Sequence, residues 1–375
     1  MRSSVEKVIV VLVLVVTLSI GTFVYVNYSL SFSGTELGRG LPRGDRVRET
    51  EEDVAGISAA VPIIEDTLLE PITLTFVGDI MLARGVQSRK ALRVEKWPFD
   101  EIQDLIGQSD LMIGNLESLV GPESTECVDC LRFSIAALDA GVLGEAGFNL
   151  LSIANNHAND FSGNPGGTAA ALRGLGLTPL GFVPGDDNIQ DPRIMIVDDY
   201  TIGFLAYTDL SNTVFSNIAR SQKDQITRDI ISLTASTDFI AVNFHWGQEY
   251  THQFTKRQQE LAYIAVEAGA DLVIGHHAHW VQGVEIYQQK AIFYGLGNCV
   301  FNMMFSQPTR QGIAVRATLD KSKSEMELQV IPLIIEDYAR PRVLDKQEPD
   351  YLEILDVIEG FSPSDIELPQ IILQL

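Results

Sequence analysis

Residues 72–81, with the sequence ITLTFVGDIM, carry the pattern on which this chain is built. An apolar and β-branched run, Ile72–Val77, leads directly into Gly78 and Asp79. Such a run predicts a buried strand that ends in a tight turn bearing a polar side chain. The same order returns at Leu111–Ile113 before Gly114-Asn115-Leu116-Glu117, at Leu150–Ala154 before Asn155-Asn156-His157, at Phe239–Phe244 before His245-Trp246-Gly247, and at Leu272–Ile274 before Gly275-His276-His277-Ala278-His279.

Helical patterns separate these runs, so the sequence predicts an α/β layered fold. Further strands are predicted at Ile194–Val197, Ile202–Tyr207 and Ala291–Tyr294, and helices at Ile135–Ala146, Gly167–Leu175 and Lys256–Gly269. Turns that join paired strands are predicted at Asp199-Tyr200 and at Gln288-Gln289-Lys290.

Length and composition limit the number of domains and the class of partner. The length of 375 residues allows one large domain or two ordinary ones, and a hydrophobic content of 46% is sufficient for a sizeable core. The formal net charge of -23 at pH 7, without a basic patch, argues against a nucleic-acid partner, because a phosphate backbone would be repelled.

An uncharged apolar stretch, Val8–Val26, is long enough to cross a bilayer as a helix. Arg2 and Lys7 precede it and favour a cytoplasmic N-terminus. We therefore predict a single-pass signal-anchor in the cell membrane, with the main domain outside the cytoplasm. A cleavable signal peptide is the alternative, and Ser31-Phe32-Ser33 is its weak cleavage candidate.

The predicted organisation has four parts. Residues 1–30 form a cytoplasmic tip and the transmembrane helix, and residues 31–70, rich in glycine and charge, form a flexible stalk. Residues 71–340 form the main domain. Residues 341–375, where the periodic pattern weakens, form a C-terminal appendage of mixed helix and loop.

The three cysteines fit an oxidising compartment. Cys127 and Cys130 are close in sequence, and a local disulfide is the predicted state, with a pair of free thiols as the alternative. Cys299 lies in an apolar run and is predicted to be a buried, inert thiol.

All six histidines lie between His157 and His279, and five of them follow predicted strands in three clusters. The carboxyl ends of strands in α/β sheets are where ligands gather, so these clusters are expected to converge on one metal centre. The predicted ligands are Asp79, Glu117, Asn156, His245, His277 and His279. This nitrogen and oxygen set, without thiolate, suits one or two divalent ions of zinc, manganese or iron.

A His-x-His pair on an extended segment directs both rings to one side, which is the arrangement expected for His277 and His279. On the same reasoning Asn156 and His157 should face opposite ways.

Three more residues are catalytic candidates. His157, with Asp160 three residues on to orient its ring, is predicted to be a general acid. A His–Asp pair that caps a helix is the alternative. Arg84 is predicted to hold an anionic substrate group, and the alternative is a solvated arginine.

Six ordered motifs together resemble the bacterial poly-γ-glutamate capsule-synthesis family called CapA. The motifs span roughly residues 72–337 and are Gly78-Asp79-Ile80-Met81, Gly114-Asn115-Leu116-Glu117, Ala154-Asn155-Asn156-His157 with Asp160, His245-Trp246-Gly247 with Glu249-Tyr250, His277-Ala278-His279 before Val281-Gln282-Gly283-Val284-Glu285, and Gly295-Leu296-Gly297-Asn298. That family is similar to the metallo-dependent phosphatases. The resemblance implies a four-layer sandwich, with two stacked mixed sheets flanked by helices, preceded here by the transmembrane helix.

By position, the resemblance implies one metal site from Asp79, Glu117 and His279. A second would use Glu117, Asn156, His245 and His277. The chain departs from the broader phosphatase pattern at Met81, where a histidine ligand is usual, and this weakens the first site. The usual His-Pro-His is His277-Ala278-His279 here, which keeps both ligands.

The resemblance implies a membrane-anchored protein of capsule synthesis or export. Its expected partners are an anionic polymer such as poly-γ-glutamate, the membrane, a polyglutamate ligase and small membrane subunits. A metal-dependent hydrolase acting on a phosphoester or amide bond is the predicted chemistry. The alternatives are a non-catalytic scaffold that binds polymer, and a secreted metal-dependent phosphoesterase, which rests on superfamily analogy alone.

Overall fold

The structure is a computed structural model that describes residues 70–89, 96–121, 131–184, 193–210, 217–363 and 366–375. They fall within one compact unit, Ile64–Leu375. The predicted membrane segment, the predicted stalk up to residue 69, and Cys127 and Cys130 lie outside the described residues. Within the described residues, no helix is long and apolar enough to cross a membrane.

Seventeen strands and seven α-helices are described. The strands are β1 (Ile72–Ile80), β2 (Leu111–Leu116), β3 (Leu119–Gly121), β4 (Ser134–Ala136), β5 (Leu150–Ser152), β6 (Thr178–Leu180), β7 (Arg193–Val197), β8 (Tyr200–Thr208), β9 (Phe239–His245), β10 (Leu272–His276), β11 (Val284–Tyr287), β12 (Lys290–Phe293), β13 (Asn298–Val300), β14 (Gln311–Asp320), β15 (Glu325–Glu336), β16 (Arg340–Val343) and β17 (Gln370–Gln374). The helices are α1 (Arg84–Arg89), α2 (Gln103–Gly107), α3 (Ala137–Ala146), α4 (Pro165–Gly174), α5 (Lys223–Thr234), α6 (Lys256–Ala268) and α7 (Pro349–Phe361).

A nine-stranded mixed sheet contains the N-terminal strand β1 at its centre. The strand order is β16-β15-β14-β1-β2-β5-β6, with β13 beside β1 and β17 beside β15. β1 runs parallel to β2 and β13 and antiparallel to β14. The register places Asp79 opposite Asn115 on one side and Asn298 on the other. Parallel neighbours therefore end at the same edge, which concentrates their polar termini there.

A six-stranded sheet, in the order β11-β12-β10-β9-β8-β7, shares the main core with the first sheet. Side chains alternate along its strands, as the pleat requires. On β9, Phe239 and Ala241 face the core shared by the two sheets, whereas Ile240 and Val242 face a second core formed with α5 and α6. Because both faces are covered, these strands read as continuous apolar runs.

Helix α6 illustrates how local sequence sets an element's limits. Thr255 and Gln258 form a capping box at its start, where the Thr255 hydroxyl accepts the Gln258 amide hydrogen and the Gln258 carboxamide accepts that of Thr255. Gly269 ends the helix with a φ of +117°, a left-handed conformation that glycine adopts without strain. The helix thus begins and ends close to the predicted limits.

The predicted strands and helices named above are confirmed as elements, and the mixed α/β class is confirmed with them. Residues 341–375 were expected to contain helix and loop. They also contain β17, which pairs with β15 and extends the nine-stranded sheet. The predicted domain boundaries themselves stay predictions. Cys299 is buried in β13 as a free thiol, as predicted.

Candidate metal centre

The ends of five strands bring all six predicted ligands together. Asp79 is the penultimate residue of β1, Glu117 follows β2, and Asn156 follows β5, all strands of the nine-stranded sheet. His245 is the last residue of β9, and His277 and His279 follow β10, both strands of the six-stranded sheet. The site is therefore built between the two sheets at one edge, from segments as far apart as residues 79 and 279.

Distances connect these side chains into one cluster. His245 Nε2 lies 2.8 Å from Asn156 Oδ1 and 3.5 Å from Glu117 Oε1. His279 Nδ1 lies 3.4 Å from Asp79 Oδ2, and its Nε2 lies 4.0 Å from Glu117 Oε2. The ring centroids of His245 and His277 are 4.8 Å apart. Glu117 thus lies beside both His245 and His279, which is the geometry that a bridging carboxylate needs.

The backbone around Asn156 and His157 differs from the expected extended conformation. Residues 156–159 form a turn, and the turn brings the two side chains to the same side, with Asn156 Nδ2 3.1 Å from His157 Nε2. The expectation that they face opposite ways is wrong, because the alternation of a strand does not continue into a turn.

His277 and His279 also lie outside extended backbone, which corrects the predicted His-x-His geometry. They follow β10 in a bend, with φ values of +90° and +55°. Tyr250, which stacks against His279, has a φ of +60°. Left-handed backbone at non-glycine residues is costly and gathers at functional sites. Both histidines still reach the cluster, but the bend directs them there.

The two carboxyl groups at the centre, Asp79 and Glu117, are fully buried, and their pKa values shift in opposite directions. Burial raises the pKa of Glu117 well above its ordinary value, and the neighbouring Asp79 raises it further. Burial also acts to raise the pKa of Asp79, but the imidazoles of His276 and His279 outweigh it and hold that pKa well below its ordinary value. The carboxyl group of Asp79 is therefore the more acidic of the two.

The pKa values of the three predicted histidine ligands also shift in opposite directions. Burial and the nearby His277 hold the pKa of His245 well below its ordinary value, and burial together with His279 lowers the pKa of His277 to about 3. Burial opposes the charge of His279, but Glu117 and Asp79 raise its pKa to about 9. Two neutral imidazoles, the form that ligates metals, therefore lie beside one imidazolium.

Several buried ligand atoms in this cluster have no hydrogen-bond partner among the described residues: Glu117 Oε2, His276 Nε2 and His277 Nδ1. Burying polar atoms unpaired is costly, so such atoms call for an explanation. Ligand atoms of Asp79, Glu117 and His245 all lie within 4.8 Å of one another. The donor set fits a divalent metal ion, which would satisfy these atoms.

The predicted catalytic residues lie beside this cluster. Asp160 Oδ2 lies 2.8 Å from His157 Nδ1, and the His157 ring packs on Phe133 with centroids 4.2 Å apart. The guanidinium carbon of Arg84 lies 5.7 Å from the centre of the same Phe133 ring. Arg84 Nε is buried and without a hydrogen-bond partner among the described residues. Their catalytic roles stay predictions.

Three more residues of the cluster were not among the predicted ligands. Glu249 groups with His277 and His279, with ligand atoms within 4.8 Å of one another. His276 Nδ1 lies 3.4 Å from Asp79 Oδ1. The amide of Asn115 lies among Asp79, Glu117 and His245. All three stand inside the quoted motifs, so position in a motif was the available signal.

Two residues near these motifs, Trp246 and His252, contact other parts of the chain. Trp246 is buried, stacks on Phe244 and donates to the Tyr294 carbonyl, so its role is packing. His252 is half-buried. Its Nδ1 lies 2.7 Å from the Val281 carbonyl, and its ring packs on Trp280.

A comparison with known protein families identifies the family of this chain. A family model described as bacterial capsule synthesis protein PGA_cap matches residues 73–303, and the chain belongs to this family. The matched segment contains all six predicted ligands and the three catalytic candidates. The resemblance to the CapA family is confirmed.

Two relatives show the extent of the match. The chain is 29% identical over 287 residues to the capsule biosynthesis protein CapA of Bacillus anthracis, covering 72% of this chain and 68% of that protein. It is 28% identical over 291 residues to the PGA biosynthesis protein CapA of Bacillus subtilis (strain 168), covering 74% and 76%.

A solved structure is also similar. The crystal structure of a hypothetical protein from Thermus thermophilus covers 73% of this chain and 99% of its own, with 15% identity and a TM-score of 0.42. A likeness at this level assigns no function.

Proposed function

We propose that this protein takes part in the synthesis or export of a poly-γ-glutamate capsule. In this proposal residues 8–26 anchor it in the cell membrane with its main domain outside the cytoplasm. Membership of the capsule synthesis family and the names of its Bacillus relatives support the polymer. A polyglutamate ligase and small membrane subunits are the proposed protein partners.

We propose that the strand-end cluster is a metal-dependent hydrolase-like centre. The observation that carries this is the meeting of buried ligand atoms from both sheets: those of Asp79, Glu117 and His245 lie within 4.8 Å of one another, and Glu117 Oε2 has no hydrogen-bond partner among the described residues. The proposed ligands are Asp79, Glu117, Asn156, His245, His277 and His279. A divalent ion of manganese, zinc or iron bound there supplies Lewis acidity toward an amide or phosphoester bond.

The remaining chemistry falls to the side chains beside the ligands. The Arg84 guanidinium binds an anionic group of the substrate, since its Nε has no partner among the described residues. Asp160 holds the His157 ring through Nδ1, which leaves Nε2 on the side of Asn156 and the cluster. From there Nε2 delivers a proton to the leaving group.

One observation favours a second candidate, a scaffold that binds polymer through its metal without cutting it. Met81 is buried at the position where the phosphatase pattern has a histidine. Its sulfur accepts the backbone N–H of Ala83 at 3.1 Å, so it is committed to packing. A thioether is a poor ligand for a hard cation, which weakens one of the two metal sites.

Metal content tests the proposal directly. The full-length protein is stripped of loosely held ions, reloaded, and analysed by elemental mass spectrometry. One or two equivalents of manganese, zinc or iron are expected, with a large loss in Asp79→Asn and His245→Ala. His252→Ala, which removes an imidazole outside the cluster, is the matched control and keeps its metal. A parent that retains no metal contradicts the proposed centre.

Polymer assays then separate the two candidates. The loaded protein is incubated with poly-γ-glutamate, and new amino termini are counted. Cleavage that disappears in His245→Ala supports the hydrolase. If metal is bound but neither poly-γ-glutamate nor a panel of phosphoesters is cleaved, and His245→Ala still supports polymer production in cells, the scaffold is the better account.

A further inference from the structure

Asn115 lies at the centre of the proposed metal site although it is not one of the proposed ligands. It is the penultimate residue of β2 and is completely buried. The register sets it opposite Asp79 of β1 and Ser152 of β5. A side chain at this position is held by strands on both sides.

The amide nitrogen of Asn115 contacts three of the proposed ligands. Nδ2 lies 2.9 Å from Asp79 Oδ1, 3.2 Å from His245 Nδ1 and 3.4 Å from Glu117 Oε1. The amide has two hydrogens for these three neighbours. The shortest contact takes one hydrogen for Asp79, and the other is directed between Glu117 and His245.

A neighbouring asparagine fixes which way the Asn115 amide points. Asn155 Nδ2 donates to the Leu116 carbonyl at 2.8 Å, and Asn155 Oδ1 accepts the backbone N–H of His157 at 3.0 Å. A carbonyl only accepts and an N–H only donates, so the Asn155 amide has one possible orientation. Its second hydrogen therefore meets Asn115 Oδ1, at 3.1 Å, and Asn115 Nδ2 must face the ligands.

This arrangement decides which atoms remain for a cation. Asp79 Oδ1 is taken by Asn115, and His276 Nδ1 lies 3.4 Å from the same oxygen. Oδ2 accepts the backbone N–H of His277 and keeps a second lone pair on the side of His279. Nδ1 of His245 accepts from Asn115, and Nε2, which then carries the ring hydrogen in the metal-free protein, donates to Asn156 Oδ1. Glu117 Oε1 faces Asn115 and Oε2 is unpartnered among the described residues.

We infer that Asn115 is a positioning residue that sets the orientation of Asp79 and Glu117 and makes each present one chosen oxygen to the metal. The inference rests on the proposed metal centre. The relay from Asn115 through Asn155 to the backbone of His157 also ties the proposed acid to the ligands. Partners behind the ligands commonly raise metal affinity in this way.

The test uses Asn115→Leu, which keeps the number and branching of the side-chain heavy atoms and removes the amide. Zn²⁺ alone is titrated into the full-length protein against a chromophoric chelator. The expected result is a loss of Zn²⁺ affinity of about 10-fold to about 100-fold relative to the parent. Asn243→Leu is the matched control, because Asn243 is a buried strand asparagine whose amide contacts the Leu205 carbonyl. Its Zn²⁺ affinity is expected to equal that of the parent.

A second measurement tests the role of Asn115 without depending on metal binding. In a crystal structure of metal-free Asn115→Leu, the Asp79 carboxylate is expected to rotate away from the backbone N–H of His277, which lies 3.1 Å from Oδ2 in the parent. If the parent binds no Zn²⁺, the proposed metal centre is wrong. The rotation of the Asp79 carboxylate in the crystal structure then still tests the role of Asn115. An unmoved Asp79, or an unchanged Zn²⁺ affinity, overturns the inference. Asn115→Ser carries the same expectation where the leucine variant does not fold.

Discussion

The imidazolium of His279 lies between two buried carboxylates in the metal-free protein, and its protonation is linked to folding. Its pKa of about 9 is above the ordinary value for histidine, because Glu117 and Asp79 outweigh the effect of burial. A raised folded-state pKa contributes stability that is complete below the unfolded pKa of about 6.5 and is lost as pH rises through the folded value. The free energy of unfolding of the metal-free protein should therefore fall between about pH 6.5 and about pH 9.

Urea unfolding in the presence of a chelator, at several pH values across that window, measures this slope. His279→Gln removes the titrating group, so its stability should vary less with pH than that of the parent. His252→Gln makes the same change outside the cluster and should keep the parent's slope. A parent whose stability rises across the window would show that the imidazolium is not held by the two carboxylates.

At the scale of the element, the approach of two strands behind Asp79 leaves no room for a side chain. A Cβ built on Gly78 would lie 2.0 Å from the Gly297 carbonyl oxygen, which is backbone and cannot move aside. The Asp79 N–H donates to this same carbonyl at 3.0 Å. The glycine therefore lets β1 sit close enough for its aspartate to be fixed.

Gly78→Ala should consequently destabilise the protein by about 1–3 kcal/mol or more, as overpacking does, and should lower metal affinity by displacing Asp79. Gly174→Ala, in α4, is the control, because nothing lies within 4 Å of its added Cβ. In a helix that change should stabilise by about 1 kcal/mol or less. Thermal unfolding and Zn²⁺ titration of both variants check this. Equal behaviour of the two would mean that the strand contact is not rigid.

The sequence predicted the strands and the ligand-bearing ends because strands covered on both faces appear as continuous apolar runs, and the polar residues follow directly. It did not predict how His277 and His279 are oriented, because their bend adopts left-handed backbone without a glycine to signal it. Nor did it predict the role of Asn115, which depends on the register between β1, β2 and β5. Strand β17 was missed because its pairing with β15 joins segments about 45 residues apart.

At the scale of the whole molecule, the net charge of -23 opposes the proposed polymer. A poly-γ-glutamate chain is itself anionic, so long-range repulsion hinders its approach, while Arg84 and a bound cation attract it only at the site. Salt screens the long-range part more than contacts at close range, since the Debye length falls from about 30 Å at 0.01 M to about 8 Å at 0.15 M.

The affinity of the metal-loaded protein for poly-γ-glutamate should therefore rise as ionic strength is raised from about 0.01 M to about 0.15 M. Fluorescence anisotropy of a labelled short polymer at a series of salt concentrations measures this. Arg84→Gln should weaken binding at every concentration and keep the upward trend, because the repulsion belongs to the whole surface and the attraction to the site. Arg173→Gln removes the same charge from the exposed last turn of α4 and should leave affinity close to the parent's. Affinity that falls with salt would instead show that local cationic contacts outweigh the charge of the whole surface.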